Sequence, residues 1–438
     1  MINTFRQYKN TIFLVCLTAS IVTLPFSIRA NSIFIILLVI CWLLKDSMKE
    51  KISYIRNPLF ILFISLYIVH LIGMFYTFNI QQGFFELEKK LSLLIFPLIL
   101  GTTAKIKYED VQKILYYFVA SCIIVSVFCL LYAGYRTISS GSFYSFNSQT
   151  QYTTYYFFYD GLSDVFIHPV YFSAYIVFSF FIVLKNIIAN WMQNPATRNV
   201  FKSILLCYLI TFLLLLSSRI MIITFFALIL SYILYLFFKQ KKKWLGISIS
   251  MLVALVLISS VIFIPYVRER ISELYTSSYV FKNNPETNIN LSGKMDAVEM
   301  RMANWYFTIQ AGKNTWLFGT GTGDDEDVLM STYQKNNFME GYVPKFNSHS
   351  QFFQTWLGLG VVGLLILLLN LFIPLYISWK TKNYYYMIFI LVISLFCFTE
   401  SIFCRQWGVV FYAFLNSLFA FHTLKRRCRL NLNLRCYE

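Results

Sequence analysis

Apolar runs long enough to cross a bilayer follow one another along most of the 438-residue chain, and they constrain it more than any motif does. Backbone in hydrocarbon must satisfy its own hydrogen bonds. Such runs therefore fold as helices, unless apolar and polar residues alternate as in barrel strands. Here the runs are unbroken. Hydrophobic residues make up 58% and charged residues 13%, against about 25% charged in soluble domains. That excludes a disordered chain, a coiled coil and a water-soluble domain. The expected fold is an all-α polytopic membrane protein of about 12 transmembrane helices, with a long extracytoplasmic loop containing short surface helices.

The runs predicted to span are Thr11–Ile28, Ser32–Leu44, Pro58–Phe78, Leu91–Ala104, Val111–Tyr135, His168–Ile188, Ile204–Ser218, Ile220–Phe238, Leu245–Val267, Gln351–Ser378, Tyr384–Glu400 and Cys404–Leu424. The first follows Arg6 and Lys9 but has no small-x-small cleavage site before Arg29, so it reads as a retained helix.

The net charge of +17 is a topology signal and not a nucleic-acid footprint, because no basic folded domain carries it. Lysine and arginine crowd into alternate connections, such as Lys45–Arg56, Lys239–Lys243 and the tail from Lys425, while the short opposite loops hold only Arg29, Lys89, Lys90, Arg136, Arg219 and Arg405. The positive-inside rule then puts both termini in the cytoplasm. The expected organisation is helices 1–9 in residues 1–267, a long periplasmic loop with an interfacial helix in 268–350, helices 10–12 in 351–424, and a basic cytoplasmic tail in 425–438. The nine cysteines lie mostly in apolar runs, with no disulfide framework and no CxxC spacing.

Several polar residues stand out against this background. Arg219 interrupts LLLLSSRIMIITFF, a run too long for one span, so two helices must meet near Ser217–Arg219 at the outer face. A lone arginine there snorkels to headgroups; one facing a cavity clamps phosphate oxygens in a bidentate way. Met295–Gln310 has apolar residues at helical spacing and is too short and charged to span; Arg301 and Trp305, four apart, share a face. A surface pair of Arg301 with Glu299 or Asp296 is the plain alternative.

Phe318–Gly323 reads as a flexible glycine turn without the context of a nucleotide site. Asp324–Asp327 has acid-x-acid spacing suited to a hard cation, but a solvated acidic turn is the favoured reading. His349 stands where the long loop re-enters the membrane, and an imidazole there is a candidate general base. His168, with Pro169 and Tyr171, opens the sixth span on the outer side, whereas His70 and His422 read as packing residues. Glu400 and Arg405 flank the last outer turn, either paired with each other or lining the same cavity. The topology places Arg219, Arg301, His349, His168, Glu400 and Arg405 at the outer face, where a basic cavity with a histidine suits a diphosphate-linked lipid.

Those residues resemble the O-antigen ligase and polymerase superfamily, membrane glycosyltransferases that use polyprenyl-diphosphate-linked glycans. The resemblance rests on Ser218-Arg219, Arg301 with Trp305, the Leu317-Phe318-Gly319-x-Gly321-x-Gly323-Asp324 turn, and His349 followed by Gln351, Phe352, Gly360 and Gly363. Thr399-Glu400-Ser401 with Arg405-Gln406-x-Gly408, and His168-Pro169-x-Tyr171-Phe172-Ser173, are similar to ligase-type members. The resemblance implies inverting transfer with no metal or other cofactor, Arg219 and Arg301 on the donor diphosphate, and His349 activating the acceptor hydroxyl. Secondary candidates are His168, Tyr171, Trp305, Glu400 and Arg405. Ser350 departs from the asparagine usual after this histidine.

The expected function is an O-antigen ligase in the bacterial inner membrane, active on the periplasmic side. It moves a glycan from undecaprenyl diphosphate to lipid A-core, with membrane lipids as surroundings and no nucleic-acid partner. Alternatives are an O-antigen polymerase, transfer to a protein hydroxyl, and a polysaccharide flippase. A flippase would gather its ionisable residues at mid-membrane, whereas here they gather at one face.

Overall fold

The computed structural model describes residues 2–54, 58–104, 106–147, 152–191, 198–239, 244, 247–248, 251, 255 and 297–423. The span expected at Leu245–Val267, the first part of the long loop and the basic tail lie wholly or mostly outside those residues. The helices are α1 (Ile2–Val22), α2 (Ile28–Lys45), α3 (Met48–Tyr54), α4 (Pro58–Gly73), α5 (Ile80–Lys90), α6 (Ser92–Gly101) and α7 (Tyr108–Ser140). They continue with α8 (Tyr159–Ser163), α9 (Pro169–Trp191), α10 (Arg198–Leu216), α11 (Arg219–Lys239), α12 (Ala297–Gly312), α13 (Asp325–Lys335) and α14 (Met339–Tyr342). The last are α15 (Gln351–Lys380), α16 (Tyr384–Thr399) and α17 (Gln406–Leu418). Among the described residues six helices are long and apolar enough to cross a membrane: Ile28–Lys45, Pro58–Tyr76, Tyr108–Ser140, Pro169–Ile188, Arg219–Phe238 and Gln351–Lys380. Lys202–Leu216 and Tyr384–Thr399 are shorter apolar helices.

Local chemistry shifts several expected boundaries. The first run does not continue to Ile28: α1 stops at Val22, just before Leu24-Pro25, where proline disfavours helix in the residue before it. Ser27 then caps α2, accepting the Ala30 N–H at 3.4 Å, and draws Ile28 and Arg29 into the second helix. The fourth run is helical over only ten residues, too few to cross a bilayer unaided. The polar segment between α7 and α9 contains a hairpin of β1 (Tyr144–Asn147) and β2 (Tyr152–Tyr155), antiparallel with Tyr144 opposite Tyr155. Tyrosine and threonine favour that pairing. The chain does turn between two helices at Ser217, which adopts a left-handed φ of 50° after α10 and before α11.

The chain divides into two compact units. Described residues up to Ser121 and from Met300 onward form one, and those from Cys122 to Glu299 the other. In the first, α4, α6 and α15 to α17 pack through interleaved aromatics, with Phe96 edge-on to Phe414 at 5.2 Å and Phe389 edge-on to Phe411 at 5.5 Å. Lipid tails are as apolar as these side chains, so packing and interhelical hydrogen bonds hold the helices together. Asn370 of α15 donates to the Leu62 carbonyl of α4 at 3.0 Å, and Tyr412 of α17 donates to the Asn370 carbonyl at 3.1 Å. In the second unit, α9 lies against α10 through Phe172 and Phe212, 5.3 Å apart.

Helix α15 is broken in its N-terminal third. Gly360 takes φ 65° and ψ −164°, and the backbone groups released there are used by the glycine turn. Thr320 N–H donates to Leu357 O at 2.8 Å, Gly321 N–H to Gly358 O at 3.0 Å, and Val361 N–H to Trp316 O at 2.9 Å. Irregular backbone at membrane depth is tolerated when protein groups satisfy it in this way. A Cβ on Gly360 would collide with the backbone of Leu317 and Phe318. Gly360→Ala is therefore expected to destabilise the protein by more than the roughly 1–3 kcal/mol of one strained residue, seen as a lower Tm in detergent.

Candidate active site

The site is assembled in the first unit from three stretches of chain: helix α12, the turn before α15, and the turn after α16. Arg301 projects from α12 and its Nη2 donates to Glu400 Oε1 at 3.2 Å. The other carboxylate oxygen of Glu400 lies 3.6 Å from His349 Nδ1. That is ion-pair range and longer than a hydrogen bond, as catalytic contacts often are before substrate binds. One half-buried carboxylate thus sits between a guanidinium and an imidazole. Arg301 reaches Glu400 across 99 positions of sequence, and Arg405, the alternative partner for Glu400, is exposed at the start of α17 with no ion pair among the described residues.

The imidazole is held by its backbone as well. His349 has a left-handed φ of 48°. Its N–H donates to Asn347 Oδ1 at 2.9 Å, and its ring meets Phe346 edge-on at 5.2 Å. Ser350 accounts for its own hydroxyl by donating to the Cys397 carbonyl at 3.3 Å. Trp305, one helical turn beyond Arg301, packs on Phe353 at 5.7 Å. Arg301 Nε and Trp305 Nε1 are buried donors with no protein acceptor among the described residues. Buried donors are normally satisfied, so both suit an anionic or hydroxyl-rich ligand.

His168, Tyr171 and Arg219 belong to the second unit. His168 stands before the first turn of α9, its ring edge-on to Tyr159 at 6.3 Å and to Tyr171 at 6.1 Å. Tyr171 is buried. Arg219 is the first residue of α11, half-buried, directly after the left-handed Ser217 and the buried Ser218.

The acidic stretch is not a solvated turn, contrary to the sequence-based expectation. Asp324 is buried and accepts the backbone N–H groups of Phe78 at 2.8 Å and Asn79 at 2.7 Å. Asp327 accepts from the Asn79 side chain at 2.7 Å. These acids cap the connection into α5, whose first N–H groups lack intrahelical partners. Asp325 faces inward, toward a cavity of about 20 Å³, room for about one water molecule, lined also by His70, Lys90, Gln351, Gln354 and Cys404.

Burial and the neighbouring Glu86 push the Asp325 carboxyl up to about 6, against the pull of Lys90, Gln354 and the Glu326 N–H. Glu86 pairs with both Lys89 and Lys90. Burial alone would raise its carboxyl, yet the two lysines hold it below its ordinary value. Burial works most strongly against the Lys90 ammonium, but Glu86, Cys404 and Asp325 together outweigh it and keep Lys90 raised. Sequence reading missed this cluster because its members lie on α5, α13 and α15 and share no motif. The one available signal was the second glutamine, Gln354, a helical turn after Gln351.

A family model described as O-Antigen ligase matches residues 204–368. That region includes Arg219, Arg301, Trp305, Asp325, His349 and Gln354. A search of curated proteins finds no match to the chain.

Proposed function

On the premise that residues 204–368 match a family model described as O-Antigen ligase, we propose that the chain is an O-antigen ligase of the inner membrane. The reaction joins an acceptor hydroxyl of lipid A-core to the anomeric carbon of a glycan carried on undecaprenyl diphosphate. The new C–O bond forms on one face of the sugar as the bond to diphosphate breaks on the other, inverting the centre. His349 takes the hydroxyl proton. Arg301 neutralises the charge that develops on the departing diphosphate, which needs no metal for that purpose, and the same role for Arg219 rests on the sequence resemblance alone.

The observation that carries this reading is the Arg301–Glu400–His349 array. Glu400 orients the ring through Nδ1 and stabilises the imidazolium formed on proton transfer, leaving Nε2 for the acceptor. The same carboxylate fixes Arg301, so the base and one phosphate ligand share a single anchor. Trp305 offers its indole N–H beside them.

Transfer assayed with purified protein, a polyprenyl-diphosphate glycan and two acceptors tests the reading. Glycan is expected on lipid A-core, with chelator present or absent. Growth of the lipid-linked glycan instead of transfer to core identifies a polymerase, and chelator-sensitive activity restored by a divalent ion overturns the metal-free chemistry. Deletion in the producing cell separates the same two readings: core bare of O-antigen for a ligase, core bearing one repeat for a polymerase.

A further inference from the structure

Two glutamines open α15 one turn apart, and each grips one of the two segments that carry the candidate base and its carboxylate. Gln354 uses both ends of its amide. Its Oε1 accepts from Ser348 N–H at 3.1 Å and from Ser348 Oγ at 3.0 Å, and its Nε2 donates to Asp325 Oδ2 at 2.7 Å. Chemistry dictates this orientation, since a backbone N–H only donates and a carboxylate only accepts. Gln351 Oε1 accepts the Phe403 N–H at 2.7 Å, gripping the turn that follows Glu400. Ser348 Oγ and Ser401 Oγ, 3.3 Å apart, join the two segments.

Ser348 immediately precedes His349, whose left-handed backbone is unfavourable for a residue with a Cβ. Such a conformation persists only when its surroundings over-determine it. The Gln354 oxygen takes the Ser348 N–H and shares the Ser348 hydroxyl proton with the Ser350 carbonyl, 2.9 Å from that hydroxyl, and the amide is itself anchored. Asp325 opens α13, its Oδ1 takes the Glu326 N–H at 3.0 Å, and its charge faces Lys90. Ser348, Gln351 and Gln354 are all buried.

We propose that Gln354, anchored by Asp325, is a positioning residue that holds the Ser348–His349 turn so that the imidazole faces Glu400. Gln354 need touch neither substrate nor the reacting atoms. The proposal rests on His349 being the base of the transfer reaction, and two readouts separate the two ideas: turnover, and the rate at which diethylpyrocarbonate modifies His349, followed by mass spectrometry of the purified full chain.

Gln354→Ala is expected to lower kcat by roughly 10²-fold, the scale of a 1 Å misplacement, while donor KM changes little. His349 should be modified severalfold faster, because the freed turn exposes its ring. Gln354→Glu keeps the acceptor for Ser348 but sets a carboxylate against Asp325, and should behave similarly. Combining it with Asp325→Asn restores a donor–acceptor pair with the polarity reversed. It also keeps the same net charge beside Lys90 and Glu86, with His70 and Cys404 the other titratable groups at the cavity. Turnover and the slow modification rate are expected to return in this double variant, which a loss of folding alone would not allow.

Wild-type modification rates in both single variants, or a double variant no better than either single one, overturns the positioning role. Full turnover in His349→Ala overturns the base assignment instead. In that case the modification rates still decide whether Gln354 sets the turn.

Discussion

His349→Ala is expected to lower kcat by about 10²–10⁴-fold, the usual worth of general-base assistance, while leaving the donor dissociation constant nearly unchanged. The separation follows from the geometry. The imidazole faces Glu400 at 3.6 Å, and the groups in the same unit suited to phosphate are the guanidinium and indole donors on α12. Single-turnover rates at saturating donor, beside donor binding measured directly, check it. Weak donor binding with intact turnover at saturation would make His349 a phosphate ligand, and the search for the base would move to His168 and Glu400. Because Ser350 is committed to the Cys397 carbonyl, Ser350→Asn is expected to be tolerated only if the amide can replace that contact.

The arginines should show the complementary pattern. Arg301→Ala is expected to cost about 10²–10³ in kcat, as the loss of one preorganised donor does, and to raise donor KM as well. It carries a second cost. Removing the guanidinium leaves the Glu400 carboxylate, 13% exposed, with one fewer cation, so the imidazole loses its fixed partner geometry. Arg301→Lys should recover little, because an ammonium has no planar fork to serve a carboxylate and a phosphate together. Arg219→Ala is expected to lower turnover to a similar degree. Near-wild-type turnover in either alanine variant, with insertion intact, would remove that residue from the clamp.

Much of the architecture was legible because it depends on local physics. A run such as Gln351–Lys380 must be helical in hydrocarbon whatever lies around it, and a turn was required at Ser217 because the apolar stretch exceeded one span. Element ends were less legible where a single residue overrode the run, as Pro25 and the Ser27 cap did between α1 and α2. The acidic turn was misread for a related reason. Four consecutive acids look solvated by composition, but Asp324 and Asp325 are consumed by donors from Phe78, Asn79 and Gln354, all far away in sequence.

Sequence by itself determined the solvent of this protein, its helical character and the short roster of polar residues that an apolar chain retains at a cost. Arg301, Glu400 and His349 were all on that roster. Tertiary structure decided which of them work together. Hydrogen bonds and ion pairs act over about 3–4 Å, so their partners are set by how α12, α15 and α16 pack, and no spacing along the chain encodes that Glu400 stands between Arg301 and His349. The same packing placed Gln354 beneath Ser348, where a residue unremarkable in sequence sets the conformation of the one beside it.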